Sequence, residues 1–211
     1  MMTRILIADD HAVVREGLRQ IIAKHADLVV AGEAVSGPDV LSKIRSSSYD
    51  VVLLDLSMPG RSGLEILREI RSEHRNLPVL ILSVHPEELY AVRALKAGAS
   101  GYMTKESAPE QLIEAIRKVS GGGKYISQSL AERLANELDN DSDRAPHERL
   151  SDREYQVLCM LGSGKTVKEI AEELSLSVPS ISTYRARILE KMNMKNNAEL
   201  THYAIRNGLV D

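Results

Sequence analysis

Residues 51–60 read VVLLDLSMPG, and the remainder of the chain can be interpreted outward from them. Four consecutive apolar residues, 51–54, beside a turn-rich tail predict a strand that is buried on both faces. Asp55 ends this strand directly before a Pro-Gly turn. In an open parallel sheet, ligands bind in the crevice beyond the carboxyl ends of the strands. An isolated aspartate at such a position is most simply a loop cap, so the other strand ends must distinguish the two roles.

Residues 1–120 alternate short apolar runs with segments of helix length. The apolar runs predict strands at 4–8, 28–34, 51–55, 78–83 and 101–104. The amphipathic segments predict helices at about 12–24, 37–46, 63–73, 86–97 and 109–120. In the first helix we expect these residues to face inward: Val13, Val14, Leu18, Ile21 and Ile22. The alternation predicts a flavodoxin-like, doubly wound (βα)5 fold with a parallel sheet in the order 2-1-3-4-5.

Polar side chains recur where these strands end. Asp9 and Asp10 follow the first strand, Asp55 ends the third, Ser83 ends the fourth and Lys105 follows the fifth. Because the first and third strands are neighbours, the carboxylates converge, and without a counter-ion they would repel one another and hold protons. Mg²⁺ removes this repulsion, since it accepts a few carboxylates completed by water and phosphate. Lys105 and Ser83 would then hold the oxygens of a phosphoryl group on Asp55.

This arrangement predicts nucleophilic chemistry at a carboxylate. Asp55 would attack phosphorus while the metal and Lys105 neutralise the developing charge. The alternative is that Asp9 and Asp10 cap the first helix and that Lys105 is a solvated loop charge. The occurrence of all these side chains at successive loops favours a site over coincidence.

Composition limits the setting in which the chain works. No apolar run approaches the roughly 20 residues that span a bilayer, and no signal-peptide pattern is present, so no membrane association is expected. Cys159 is the single cysteine, so an internal disulfide cannot form and a reducing cytoplasm is expected. The net charge of −3 lacks the strong basic excess of many nucleic-acid binders.

The character of the chain changes after residue 123. Residues 124–149 predict a linker with a short amphipathic helix at about 129–138, followed by the polar stretch 140–148, where His147 is most simply exposed. We therefore expect a first domain at 1–123, the linker at 124–149 and a helical second domain at 150–211.

Capping chemistry marks the helices of the second domain. Ser151, Thr166 and Asn196 each precede a glutamate by three residues, which predicts helix starts. The helix at about 167–174 should bury Ile170, Ala171 and Leu174, and the next helix should begin at Ser177. Two short helices joined by about three residues predict a helix-turn-helix.

The third helix of this domain has two different faces. Apolar spacing predicts an inward face of Ile181, Tyr184, Ile188 and Met192. The outward face then consists of small or hydrogen-bonding residues suited to base edges: Ser180, Ser182, Thr183, Ala186 and Arg187. The cations expected to meet phosphates are Arg185, Lys191, Lys195, Lys165 and Lys168.

Charge counting qualifies the DNA-binding interpretation. Residues 150–211 contain eight Lys/Arg and eight Asp/Glu, whereas residues 177–195 contain four cations and one anion, a balance of +3. Few phosphate contacts give weak binding by one copy, so two copies are expected on DNA. The neutral total also leaves open a helical bundle that binds a protein.

Residues 1–120 resemble the receiver domain of two-component response regulators. The matching residues are Asp9, Asp10, the DLSMPG turn at 55–60, Ser83 and Lys105. The resemblance implies a histidine kinase as partner, Asp55 as phosphoacceptor, and Mg²⁺ bound by Asp10, Asp55 and the Ser57 carbonyl, with Asp9 acting mainly through water. It also implies that Ser83 and Tyr102 form a switch pair, although Tyr102 is equally well explained as an edge-strand residue.

The second domain resembles the LuxR-type helix-turn-helix of the NarL/FixJ family. The match rests on LSDRE at 150–154, KEIA at 168–171, and single residues such as Gly164, Ser177 and Lys191. The resemblance implies that residues 178–193 enter the major groove of promoter DNA and that a final helix at about 197–207 pairs two copies. Ser182 and Ala186 replace lysines that some members use, so the target sequence does not transfer.

These features together predict a phosphorylation-activated transcription regulator, with RNA polymerase as a further candidate partner. We expect a phosphoryl acceptor rather than an enzyme, with at most slow self-dephosphorylation. A Mg²⁺-dependent phosphohydrolase is the alternative. Haloacid-dehalogenase-like enzymes of that kind use an acid two residues after the nucleophile, and Ser57 occupies that position here.

Overall fold

The structure is a computed structural model that describes residues 2–139 and 145–210. The chain divides between residues 135 and 136 into two compact units. The first unit contains a five-stranded parallel sheet in the order β2-β1-β3-β4-β5, which confirms the predicted doubly wound fold. The second unit contains the predicted helix-turn-helix.

Strands and helices alternate through the first unit. The strands are β1 Thr3–Ala8, β2 Leu28–Ala34, β3 Val51–Leu54, β4 Val79–Ser83 and β5 Gly101–Thr104. The helices are α1 Ala12–Ile22, α2 Gly37–Ser46, α3 Gly63–Glu73, α4 Glu87–Lys96 and α5 Pro109–Ser120. The predicted boundaries agree within one or two residues.

The central strand β3 anchors the core of the sheet. All four of its residues are buried, because β1 pairs with one edge, β4 pairs with the other, and helices cover both faces. The register places Ile5 beside Val51 and Ala8 beside Leu54. β1 and β3 therefore end level with each other, which brings the residues that follow them to one edge of the sheet.

One residue predicted to face inward lies on the surface. Val13 is 85% exposed, whereas Leu18 and Ile22 are buried. Residues on an α-helix follow one another at about 100°, so a residue five positions before Leu18 lies about 140° away from it. The prediction for Val13 was wrong because this residue is apolar but lies off the buried face of α1. The inward face consists of Val14, Leu18, Ile21 and Ile22.

The first part of the expected linker contacts the first unit. Tyr125 N donates to Ser100 O at 2.9 Å, and Leu130 is 1% exposed. Leu130 belongs to α6 Gln128–Asp139, the predicted linker helix. Within the polar stretch predicted at 140–148, residues 140–144 lie outside the described residues.

Within residues 145–210, the second unit contains a 3-10 helix, Pro146–Arg149, and four α-helices. These are α7 Asp152–Gly162, α8 Val167–Glu173, α9 Val178–Lys191 and α10 Asn197–Arg206. The predicted caps are confirmed: Ser151 and Thr166 form capping boxes, and the side chains of Ser177 and Asn196 each accept a hydrogen bond from a backbone N–H of the following helix.

The prediction that His147 is simply exposed was wrong. The side chain is half-buried, and its Nδ1 lies 2.8 Å from Tyr203 Oη on α10. The 3-10 helix carries His147 onto the bundle, so this end of the expected linker belongs to the second unit.

Among the helices of residues 2–139 and 145–210, none combines the length and the apolar character that crossing a bilayer requires.

Candidate functional site

Backbone hydrogen bonds just past the strands bring the predicted site residues together. Asp55 N donates to Ala8 O at 2.9 Å, which extends the β1–β3 pairing by one residue. Asp9 N donates to Ala34 O at 3.1 Å, and Lys105 N donates to Ser83 O at 2.8 Å. These bonds fix the carboxyl ends of β2, β1 and β3 relative to one another, and likewise those of β4 and β5.

Lys105 lies at the centre of the resulting pocket. Its Nζ is 2.6 Å from Asp9 Oδ2 and 2.8 Å from Asp55 Oδ2. The two aspartates are 2% and 1% exposed. Ser57 N donates to the other Asp55 oxygen, Oδ1, at 3.2 Å. The Asp55 carboxylate is therefore buried and held at both oxygens.

Asp10 completes a cluster of acidic oxygens. One ligand atom from each of Asp9, Asp10, His11 and Asp55 lies within 4.8 Å of the others. Asp10 Oδ1 is buried and accepts no hydrogen bond within the described residues; His11 Nδ1 is 3.0 Å away but is not aligned for one. Our sequence analysis did not assign His11 to the site, although its place directly after Asp10 was a usable signal.

The pocket places one ammonium group, that of Lys105, against three aspartates. Burial raises the pKa of Asp55, the hydrogen bond from Lys105 opposes this, and the neighbouring Asp9 adds to the increase. Burial alone would lower the pKa of Lys105, but the hydrogen bonds to Asp55 and Asp9 outweigh it and raise that pKa. Lys105 is thus firmly protonated, while its single charge does not compensate the carboxylates around it.

The predicted switch residues both contact the loop after β4. Ser83 is fully buried, and its Oγ accepts a hydrogen bond from His85 N at 3.2 Å. Tyr102 is 1% exposed and its hydroxyl donates to His85 O at 2.8 Å. Burial raises the pKa of Tyr102, with further increases from Asp55 and two glutamates, so its hydroxyl is a neutral donor.

His85 is a residue of this region that our sequence analysis missed. Its Nε2 lies 3.1 Å from Ser57 Oγ, and its ring stacks on Tyr90 with centroids 4.5 Å apart. It therefore joins the loop after Asp55 to the loop after Ser83. Its position two residues after Ser83 was the available signal.

The second unit presents α9 with the two faces that the sequence predicts. Ile181 and Ile188 are fully buried, Met192 is 6% exposed and Tyr184 is half-buried. The opposite face contains four exposed side chains: Ser182, Thr183, Ala186 and Arg187. Ser180 is half-buried, and its Oγ lies 2.8 Å from the N-cap hydroxyl of Ser177.

The cations around α9 differ in their partners. Arg187 and Lys195 are exposed. Lys165 pairs with Glu173, and Lys168 lies 4.0 Å from Glu172 in an exposed pair. By contrast, Arg185 Nε donates to Asn197 Oδ1 on α10, and Lys191 Nζ lies 2.6 Å from the buried Glu154 on α7.

Two family models match the chain, one in each unit. The first, described as "Response regulator receiver domain", matches residues 5–117. The second, described as "Bacterial regulatory proteins, luxR family", matches residues 148–204.

Relatives match over nearly the whole length. The chain is 39% identical over 209 residues to the response regulator UvrY of Escherichia coli (strain K12), covering 99% of this chain and 96% of that protein. It is 39% identical to the response regulator GacA of Pseudomonas protegens, covering 100% of this chain and 99% of that protein. A solved structure of RcsB from Salmonella enterica serovar Typhimurium, bound to a promoter in the presence of phosphomimetic BeF3-, matches with a TM-score of 0.61 and 26% identity over 96% of this chain and 98% of that chain. The chain therefore belongs to the response regulators that join a receiver domain to a LuxR-type DNA-binding domain and regulate transcription.

Proposed function

We propose that the chain is activated when Asp55 accepts a phosphoryl group from a histidine kinase. The observation that carries this proposal is the environment of the Asp55 carboxylate. This carboxylate is buried, its Oδ2 lies 2.8 Å from Lys105 Nζ, and Asp9 and Asp10 lie beside it. A buried carboxylate beside a cation and a metal-binding set of oxygens is suited to attack on phosphorus.

We assign Mg²⁺ to this pocket, where Asp10, Asp55 and the Ser57 backbone carbonyl would hold it directly and Asp9 would act mainly through water. The fit rests on the oxygen ligand atoms that lie within 4.8 Å of one another and on Asp10 Oδ1, a buried oxygen whose lone pairs no described donor occupies. A few carboxylates completed by water and phosphate are the ligands that Mg²⁺ accepts. When bound, the metal neutralises charge on the phosphoryl oxygens.

The residues of the chain perform the remaining steps. An Asp55 oxygen forms the bond to phosphorus as the bond from phosphorus to the kinase imidazole nitrogen breaks, and the electron pair returns to that nitrogen. Lys105 stays protonated and stabilises the charge that spreads over the phosphoryl oxygens. Ser83 donates its hydroxyl hydrogen to one of these oxygens, since it ends the adjacent strand.

The new charge then biases the switch residues. A phosphoryl group adds about −2, which draws Ser83 toward it, while the Tyr102 ring, already buried, keeps its inward position behind the serine. Both residues already meet at His85, two residues before α4 begins. The surface of α4, β5 and α5 shifts between pre-existing arrangements, and this shift either releases the helix-turn-helix or promotes dimerisation.

We further propose that α9 reads promoter DNA through the major groove, in the cytoplasm. Its outward face offers Ser180, Ser182, Thr183, Ala186 and Arg187 to base edges. The cations that we assign to the phosphate-facing surface are Lys195, Lys165 and Lys168. Two copies pair through α10, where Ile205 is 55% exposed, and RNA polymerase is a candidate partner of the bound dimer.

The phosphoacceptor assignment is tested by Asp55→Asn with a radiolabelled small phosphodonor and Mg²⁺. We expect acid-labile label to be lost completely, because the amide cannot form the acyl phosphate. Asp50→Asn is the matched control, since Asp50 is an exposed carboxylate at the opposite end of the same strand. Label that persists in Asp55→Asn at another residue would remove Asp55 from its role.

A further inference from the structure

The cations at α9 belong to two structural classes. Arg187 and Lys195 are exposed, and the Lys191 side chain is also 43% exposed, so the two classes differ in their partners and not in their exposure. Arg185 and Lys191 are each attached to a neighbouring helix of the same unit, Arg185 through Nε to Asn197 Oδ1 and Lys191 through Nζ to Glu154 Oε2 at 2.6 Å. A phosphate contact would have to compete with these bonds.

The positions of the attached cations around the helix explain the difference. Successive residues on an α-helix are about 100° apart, so residues three positions before and after Ile188 lie about 60° to either side of it. Ile188 is the centre of the buried face, and those two residues are Arg185 and Lys191. Ala186, on the outward face, lies about 160° from Ile188. The attached cations therefore flank the buried stripe.

Glu154, on α7, is well suited to hold the Lys191 side of α9 in place. Its side chain is 3% exposed, and the oxygen that meets Lys191 also accepts the backbone N–H of Ser151 at 2.8 Å. Ser151 caps α7, so the carboxylate cannot follow Lys191 without breaking that cap. On the other flank, Asn197 is the first residue of α10. α9 is thus attached by polar bonds to a different helix on each side.

We propose that Lys191 and Arg185 are positioning residues that fix the rotation of α9 about its axis, rather than phosphate contacts. The proposal rests on DNA reading by α9 and assigns these two cations a different role from the exposed Arg187 and Lys195. A rotation by about 25° moves a Cα on a helix of radius about 2.3 Å by about 1 Å. Hydrogen bonds to base edges tolerate only about 0.5 Å, whereas long flexible cations can follow a phosphate.

The test compares methionine variants of the full-length protein, since methionine keeps most of the length and removes the charge. Binding is measured after treatment with a phosphodonor, to a genomic fragment selected by the wild-type protein and to a random-sequence duplex, at several salt concentrations. Lys191→Met and Arg185→Met should each lower affinity for the selected fragment about 10-fold, with the random-duplex affinity and the salt slope unchanged. Lys195→Met should lower the salt slope on both duplexes by about 0.9 for each bound subunit.

Glu154→Gln distinguishes the two roles without changing a cation. If Lys191 served phosphates, loss of the Glu154 charge would release Lys191, strengthen binding to both duplexes and steepen the salt slope. If Lys191 positions α9, Glu154→Gln should instead weaken binding to the selected fragment only, and Lys191→Arg should retain most of the wild-type affinity because it keeps a cation for Glu154. Circular dichroism of each variant checks that the helices are retained.

The outcomes separate this proposal from the proposed function. A lower salt slope in Lys191→Met, or tighter binding in Glu154→Gln, would overturn the positioning role and leave DNA binding intact. A wild-type protein that binds neither duplex would overturn DNA reading by α9, and the positioning role with it.

Discussion

Lys105 and Lys191 each bind a buried carboxylate, but they differ in how many carboxylates surround the ammonium group. Lys105 meets Asp9 and Asp55 with a third aspartate beside them, whereas Lys191 meets Glu154 alone. Burial raises the pKa of both acids, yet the pKa of Asp55 stays raised while Lys191 and the Ser151 cap bring that of Glu154 below its ordinary value.

The contrast shows how one type of ion pair serves structure or chemistry. A single cation and a single anion satisfy each other, so the pair between α7 and α9 has no need of a further ligand. One cation among several carboxylates leaves negative charge in a buried site, where it is costly. Such a site would gain free energy from the Mg²⁺ that we propose for it, and the bound ion would permit a phosphoryl group to approach.

The contrast predicts a large effect on chemistry from one lysine only. Lys105→Met should lower the rate of Asp55 phosphorylation by a small-molecule donor about 100-fold, because no ammonium then stabilises the phosphoryl oxygens. Single-turnover labelling measures this rate. Lys191→Met is the matched control and should label at the wild-type rate. Equal rates in all three proteins would show that Lys105 only stabilises the pocket.

A smaller effect on stability is expected from the other lysine. Lys191→Met should lower the free energy of unfolding of the helical unit by about 1–3 kcal/mol, because Glu154 is left buried without its cation. Amide hydrogen exchange of peptides from α7 and α9 in the full chain measures this loss. Lys195→Met, which changes an exposed side chain, should alter protection by less than about 0.5 kcal/mol. Unchanged protection in α7 after Lys191→Met would mean that the pair is energetically neutral.

The convergence of the polar strand ends could be predicted from the sequence because the topology of a parallel sheet determines it. A parallel sheet brings the carboxyl ends of its strands to one edge, so the sequence alone groups residues such as Asp9, Asp55, Ser83 and Lys105. The strands themselves were clear, since apolar runs such as 51–54 have no alternative in a sheet covered on both faces.

The contact between Lys191 and Glu154 could not be predicted from the sequence, for a physical reason. Glu154 lies 37 residues away and was already explained by its capping box with Ser151. Only the packing of α7 on α9 shows that the same oxygen also reaches Lys191. Helical spacing gives the faces of a helix, but it does not say which flanking cation a neighbouring helix will bind. His85 was not predicted for a similar reason, because its partner Ser57 belongs to another loop.

The last and smallest expected effect is a difference in pH dependence between the two sites. Glu154 has a lowered pKa, so the stability it contributes is present above its ordinary value of 4.5 and is lost as the pH falls through the lower folded value. Asp55 has a raised pKa, so its contribution is complete below its ordinary value of 3.8 and is lost as the pH rises through the folded value.

Comparison of each wild-type unit with a neutral variant isolates these contributions. Without Mg²⁺ at pH 7, Asp55→Asn should stabilise the receiver unit by about 1 kcal/mol, and the difference should shrink as the pH falls toward 4. Glu154→Gln should destabilise the helical unit at pH 7, with a difference that persists to pH 5 and closes only below 4.5. The stability of both units is measured in each full-length protein by hydrogen exchange, corrected for the intrinsic pH dependence of amide exchange. If Asp55→Asn destabilised the receiver at pH 7, Lys105 alone would balance the pocket, and the need for a metal ion that distinguishes it from the Glu154 pair would disappear.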